Sequence, residues 1–318
     1  MMKSGFAFVF THIDYEGDLP VEIIPDHFFR RAKTKETESI RNLLSKSAYP
    51  HFGWSIAYEH TIKEEKTGDR TNYHREPLTP RMWKYWVIAF NGNNHEIHKL
   101  EYAAQLIEHD LDFGFYCLFN EENQQGDWVG NSYLPMHLVE RYNCFDEAAR
   151  NAVKINCDEL SSLGAYYRKI KNLPEQFNFI DHSIKNFYEL KKIPRRSDLL
   201  VVGYFSIVEA LITHEPRLNE SLDSISHQVR NKIALLKKKF RRDISEDNYF
   251  LPGNEGKIWK KLYAYRSCVA HGSIPDFMGT LQVLKSGEIV NEFLKETIKE
   301  LLVLAIHEPE FLEDLKRC

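Results

Sequence analysis

No stretch of this chain approaches the roughly 20 consecutive apolar residues that a membrane-crossing helix needs. The opening residues Met1-Met2-Lys3-Ser4-Gly5-Phe6 lack the apolar core of a secretion signal. Cysteine is sparse: Cys117, Cys144, Cys157, Cys268 and Cys318 show no paired spacing, which excludes a disulfide framework and fits a reducing, cytoplasmic setting. Charge of one sign is lacking as well. The formal net charge is −4, so the chain is no polycation, and any nucleic-acid contact must come from a local basic patch. There is no Gly-rich phosphate loop and no Gly-x-Ser-x-Gly, so NTPase and serine-hydrolase readings have no starting residue. His95-Glu96-Ile97-His98 has the wrong spacing for a helical zinc-protease pair, and no cysteine cluster joins it. Neither a metal nor another cofactor is expected.

What is present is an ordinary globular composition, 43% hydrophobic and 28% charged, over 318 residues, enough for two modest domains. The aromatic fraction of 13% leans toward strands or stacking surfaces. Short strands are predicted at Gly5–Phe10, Val21–Ile24, Phe52–Tyr58, Trp83–Phe90 and Phe113–Phe119, with helices at Lys33–Ser47 and Glu96–Glu108. Lys63–Pro80 reads as a loop or a long hairpin tip turning at Thr67-Gly68-Asp69. Helical periodicity is predicted from Asp146 onward, through Ala149, Val153, Leu160, Leu163 and Tyr167. Residues 1–172 are therefore expected to form an α+β domain, with the boundary at Asn172-Leu173-Pro174.

Residues 173–318 read as all helix. Ile184–Ile193 ends at Pro194. Leu199–Thr213, with Asp198 as its expected cap, is apolar nearly all round and should be the buried centre. Leu222, Ile225, Val229, Ile233, Leu236 and Phe240 mark the next helix, Ile258–His271 another, and Val290–Ile306 a fifth, with Pro309 as its stop. A helical bundle follows.

The informative stretch is Ile258–Pro275. Ile258, Leu262 and Val269 recur at helical spacing, and Arg266 falls on that apolar stripe, where a guanidinium needs an anion. Glu209, in the most apolar helix, needs a cation in turn and is a candidate partner. Lys260, Ala264, Ser267 and His271 share a second, polar face. On an ideal helix Arg266 and His271 stand about 140° apart. Gly272 and Pro275 supply the stop, so His271 sits at the last turn. The run Lys237-Lys238-Lys239-Phe240-Arg241-Arg242 is a candidate phosphate track, or else a solvated charged face.

Arg266-x4-His271 followed by Gly272 resembles the hallmark of the HEPN superfamily of ribonucleases. Tyr263-x-x-Arg266-Ser267-x-x-x-His271-Gly272 is most similar to its ApeA-like branch, found in antiphage defence. The likeness covers residues 180–306, where Phe205–Leu211, with Glu209, looks like an early core helix and Arg230–Leu236 like the one after it. It implies a HEPN-type helical bundle and a homodimeric, metal-independent endoribonuclease in which Arg266 and His271 are catalytic. Ser267 and Glu209 would support them, and Lys260, Lys237, Lys238, Lys239, Arg241 and Arg242 would contact RNA. Ser267 replaces the Asn, Asp or His often found after the motif arginine, which puts that position's usual contribution in question. Arginine suits a phosphate by its permanent charge and planar fork, and histidine suits proton transfer. The α+β domain is expected to sense a trigger or select substrate. The plainer alternative makes Arg266 a helix-end cation and His271 a capping imidazole in a bundle that only binds RNA, a nucleotide or a protein.

Overall fold

The structure, a computed structural model, describes residues 4–46, 58–67, 70–91, 95–119, 126–128, 152–216, 224–252 and 255–318. The chain divides into two compact units, Met1–Tyr167 and Arg168–Cys318. The division falls inside the helix Cys157–Lys171, a few residues before the expected boundary at 172/173.

The first unit is built on a sheet whose strands run in the order β3-β4-β7-β1-β8-β9. These are β1 (Ser4–Val9), β3 (Val21–Ile24), β4 (His27–Arg31), β7 (Trp86–Asn91), β8 (Phe113–Phe119) and β9 (Gly126–Trp128), all neighbours antiparallel. Central β1 pairs with β7 on one side and β8 on the other, and is buried along almost its whole length. Its alternate aromatics explain that position: Phe6, Phe8 and Phe10 share one face and pack with Ile40 and Leu44 of helix α1 (Thr34–Lys46), and with Tyr58 and Tyr85. A hairpin, β5 (His60–Thr67) with β6 (Arg70–Pro77), occupies the segment predicted as loop or hairpin.

Several expectations are corrected here. Trp83 and Tyr85 precede strand β7 rather than belonging to it, and helix α2 stops at Ala103 (His95–Ala103). Val153 lies in a short strand, β10 (Val153–Ile155), parallel to β2 (Ile13–Tyr15), so helix α3 starts only at Cys157 (Cys157–Lys171). Of the strand expected over Phe52–Tyr58 only Tyr58 is described, and it is not in a strand; the start of helical periodicity at Asp146–Ala149 and the hairpin turn at Gly68-Asp69 lie outside the described residues.

Gly5 gives the sheet a sharp test. A Cβ built there would lie 2.4 Å from the Cys117 carbonyl oxygen and 2.7 Å from the Phe90 ring. Backbone cannot step aside as a side-chain tip can. Gly5→Ala is therefore expected to cost about 1–3 kcal/mol, read as a lower urea midpoint at unchanged slope.

The second unit is helical: α4 (Asn178–Leu190), α5 (Leu199–Ile212), α6 (Ile225–Leu236), α7 (Glu255–Ala270), α8 (Gly287–His307) and α9 (Pro309–Arg317). Helix α5 buries Leu200, Val201, Tyr204, Phe205, Ile207, Val208, Leu211 and Ile212, as its apolar sequence requires. Helix α8 is buried over most of its circumference, and its Phe293 meets the rings of Phe250 at 4.9 Å, Tyr249 at 5.4 Å and Trp259 at 5.8 Å. Helix α8 ends at His307, just before Pro309 as expected, but Pro309 does more than stop it. It starts another, occupying the first turn of α9 where its missing N–H has no bond to lose. Among the described residues, no helix is long and apolar enough to cross a membrane.

Candidate functional site

Helix α7 carries the candidate residues, and its end is fixed by local hydrogen bonds. The Ser273 N–H donates to the Cys268 carbonyl at 2.9 Å and the Gly272 N–H to that of Val269 at 3.0 Å. This nested pair needs a left-handed residue next to last, and Gly272 supplies it at φ +72°. His271 is thus the cap residue. It is exposed, and its imidazole has no hydrogen-bond or ion-pair partner among the described residues.

The buried stripe of α7 is Ile258, Trp259, Leu262 and Tyr265. Tyr265, fully buried, was missing from the sequence-derived stripe although it stands three residues after Leu262. Its hydroxyl donates to Asp198, and burial, reinforced by that bond, pushes the phenol far above its ordinary range. Asp198 therefore does not cap α5 with its side chain as expected, because its carboxylate is committed to Tyr265.

Arg266 and Glu209 meet across α7 and α5, but loosely. The nearest approach is Nη2 to Oε2 at 3.7 Å, beyond hydrogen-bond range. Arg266 Nε and Glu209 Oε1 are both buried with no hydrogen-bond partner among the described residues. Burial raises the Glu209 carboxyl above its ordinary range, and the nearby Arg266 charge only partly opposes this. A guanidinium whose carboxylate neighbour stays 3.7 Å away keeps donors to spare. Its carbon also lies 5.6 Å from the centre of the Tyr263 ring.

The polar face of α7 is open as expected: Lys260, Ala264 and His271 are exposed and Ser267 is half-buried. No hydrogen bond or ion pair joins the side chains of Arg266 and His271, in keeping with their different faces.

The basic run is more committed than a free phosphate track would be. Lys237 pairs with Glu246, which also accepts from Trp259 Nε1 at 3.1 Å. Lys239 pairs with Glu308 and lies 4.4 Å from the Phe311 ring centre. Arg241 and Arg242 both reach the fully buried carboxylate of Glu300, at 2.8 and 2.9 Å, and Arg242 reaches Glu296 at 2.8 Å. Lys238 and Lys260 are exposed with no ion pair among the described residues. The sequence signal for the stapling of Arg241 and Arg242 lay far away, in Glu296 and Glu300 of α8.

In the first unit, Glu108, His109 and Glu159 bring one possible ligand atom each within 4.8 Å of one another. His109 Nδ1 already faces Glu159 Oε1 at 2.9 Å, which makes the pair a hydrogen-bonded surface contact at the start of α3. His98 faces Glu101 at 3.3 Å, and Glu96 accepts from Tyr167.

Fold and site together define an α+β unit followed by a helical unit carrying a half-buried arginine and an exposed, helix-capping histidine. Comparison with protein-family models gives no match, and neither curated proteins nor solved structures give one.

Proposed function

We propose that this chain is a metal-independent endoribonuclease of the HEPN type. The observation that carries the reading is the state of Arg266: half-buried on an apolar face, beside a carboxylate it does not satisfy, one turn from a histidine held out by the helix cap. Arg266 would bind the scissile phosphate and stabilise the charge gathering on its non-bridging oxygens. A base takes the proton of the RNA 2′-hydroxyl, whose oxygen attacks the adjacent phosphorus. The bond from phosphorus to the 5′-oxygen breaks, and an acid returns a proton to that oxygen. The products are a 2′,3′-cyclic phosphate and a 5′-hydroxyl.

One imidazole does not readily serve as base and acid in the same step. A two-fold homodimer presenting two His271 side chains supplies both, and an isologous interface produces that arrangement directly. In this reading the sheet-containing unit selects substrate or receives a trigger, and the setting is cytoplasmic antiphage defence, as the family resemblance implies.

A second reading has one observation in its favour: Arg266 and His271 occupy different faces of α7 and share no contact. That geometry also suits a bundle that only binds RNA, a nucleotide or a partner protein. Incubating the full chain with RNA in EDTA separates the two. Cleavage to cyclic-phosphate ends by the wild type, and by neither Arg266→Ala nor His271→Ala, is expected. Equal cleavage by all three would indicate a contaminant and retire the enzyme reading, whereas RNA retention without cleavage would favour the binding module.

A further inference from the structure

Several cations lie over aromatic rings in this protein, and most are already engaged. Arg41 pairs with Glu59 beside Trp83, Lys239 pairs with Glu308 beside Phe311, and the Lys316 ammonium donates to the Ala210 carbonyl at 2.6 Å beside Phe179. The Arg266–Tyr263 pair differs in two respects. Among the described residues its guanidinium retains a buried N–H without a partner, and its nearest carboxylate approaches only to 3.7 Å. The ring of Tyr263 is partly exposed, and its hydroxyl has no hydrogen-bond partner among the described residues.

Tyr263 is also held firmly. The fully buried Phe205 of α5 meets it edge to face, with ring centres 5.6 Å apart and planes at 87°. Tyr263 and Arg266 are one helical turn apart on α7, and the guanidinium carbon lies over the ring at 5.6 Å from its centre, so cation and ring are neighbours on one rigid element. A phosphate and its base are likewise neighbours within one nucleotide. Single strands are gripped by a cation for the backbone together with a preorganised aromatic for the base, because every base has a π-face.

We infer that Tyr263 is the platform on which a nucleotide base stacks while Arg266 holds the adjoining phosphate. The inference rests on the RNA-directed reading of the site and concerns binding rather than chemistry. The ring provides the contact and the hydroxyl is dispensable.

The test uses the full-length protein, Tyr263→Phe and Tyr263→Leu, with two fluorescent strands of equal length and 2′-O-methyl sugars that cannot be cut. One strand carries bases and the other is abasic. Wild type and Tyr263→Phe should bind the base-bearing strand roughly 5- to 150-fold more tightly than Tyr263→Leu does. All three should bind the abasic strand alike, a result that a merely structural role for Tyr263 would not produce. The inference is overturned if Tyr263→Leu binds the base-bearing strand as wild type does, if Tyr263→Phe loses as much as Tyr263→Leu, or if wild type does not distinguish the strands. Because these strands cannot be cleaved, failure of catalysis in EDTA would remove the ribonuclease reading without deciding this result.

Discussion

Replacing Glu300 with leucine is expected to lower the unfolding free energy of the helical unit by about 3 kcal/mol at neutral pH, the low end of the cost of breaking a buried ion pair. Glu300 is fully buried in α8 and accepts from the Arg241 backbone N–H at 2.9 Å, from Arg241 Nη2 at 2.8 Å and from Arg242 Nε at 2.9 Å. Removing the carboxylate strands the Arg241 guanidinium and leaves Arg242 with Glu296 alone. The loss stays at the low end because about a third of each arginine side chain meets solvent and Arg242 keeps Glu296. Glu300→Gln, which preserves an acceptor, should lose less.

The pH dependence has a definite sign. Burial alone would raise the Glu300 carboxyl, but the hydrogen bonds from Arg241 and Arg242 outweigh it and hold the group below its ordinary range. Its contribution is therefore present above the unfolded value, about 4.3, and disappears as pH falls through the lower folded value. Glu209 acts in the opposite sense. Its raised carboxyl favours the fold below about pH 4.3, and that advantage is lost as pH rises through the folded value. Urea titrations from pH 3 to 7 should show the acid-side loss of stability shrinking in Glu300→Leu. A cost below about 1 kcal/mol, or an unchanged acid limb, would mean the cluster is held by solvent rather than by Glu300.

How much of this could be read in advance depended on how local the cause was. The Phe6-x-Phe8-x-Phe10 alternation announces a strand by itself, and the apolar run of α5 announces a buried helix. Gly272 marks its helix end because only a residue tolerant of positive φ fits there. Three-residue β10 left no such trace, since its pairing partner β2 lies far away in sequence. Pro309 sends the same signal whether a helix stops before it or starts at it, and here both occur. The Arg266–Glu209 pairing was foreseeable from two charges in apolar settings, but its looseness was not, because a contact distance is set by how α5 and α7 pack. Asp198 shows the same limit: a good capping residue by type, its carboxylate was claimed by a tyrosine on another helix.

That looseness makes the expected effects on catalysis interpretable. A tight, satisfied Arg266–Glu209 pair would confound any loss of activity with loss of fold. At 3.7 Å the pair has no hydrogen bond to lose, so Arg266→Lys, which keeps a cation beside Glu209, should unfold close to wild type, and Arg266→Ala, which leaves that carboxylate alone, somewhat below it. Their cleavage rates should nevertheless fall about 10²- to 10³-fold, the usual consequence of losing a donor aimed at developing negative charge. Lysine should not rescue, because an ammonium is a point charge and cannot present two parallel N–H groups to a phosphate. His271→Ala should fall about 10²- to 10⁴-fold, as expected for loss of proton transfer. His271 is exposed and its side chain is unpartnered among the described residues, so that variant should leave stability unchanged as well. The decisive comparison is between rate and unfolding midpoint on the same preparations. Large rate losses at constant midpoint in Arg266→Lys and His271→Ala place both residues in the chemistry, and losses that track the midpoint would return them to the scaffold.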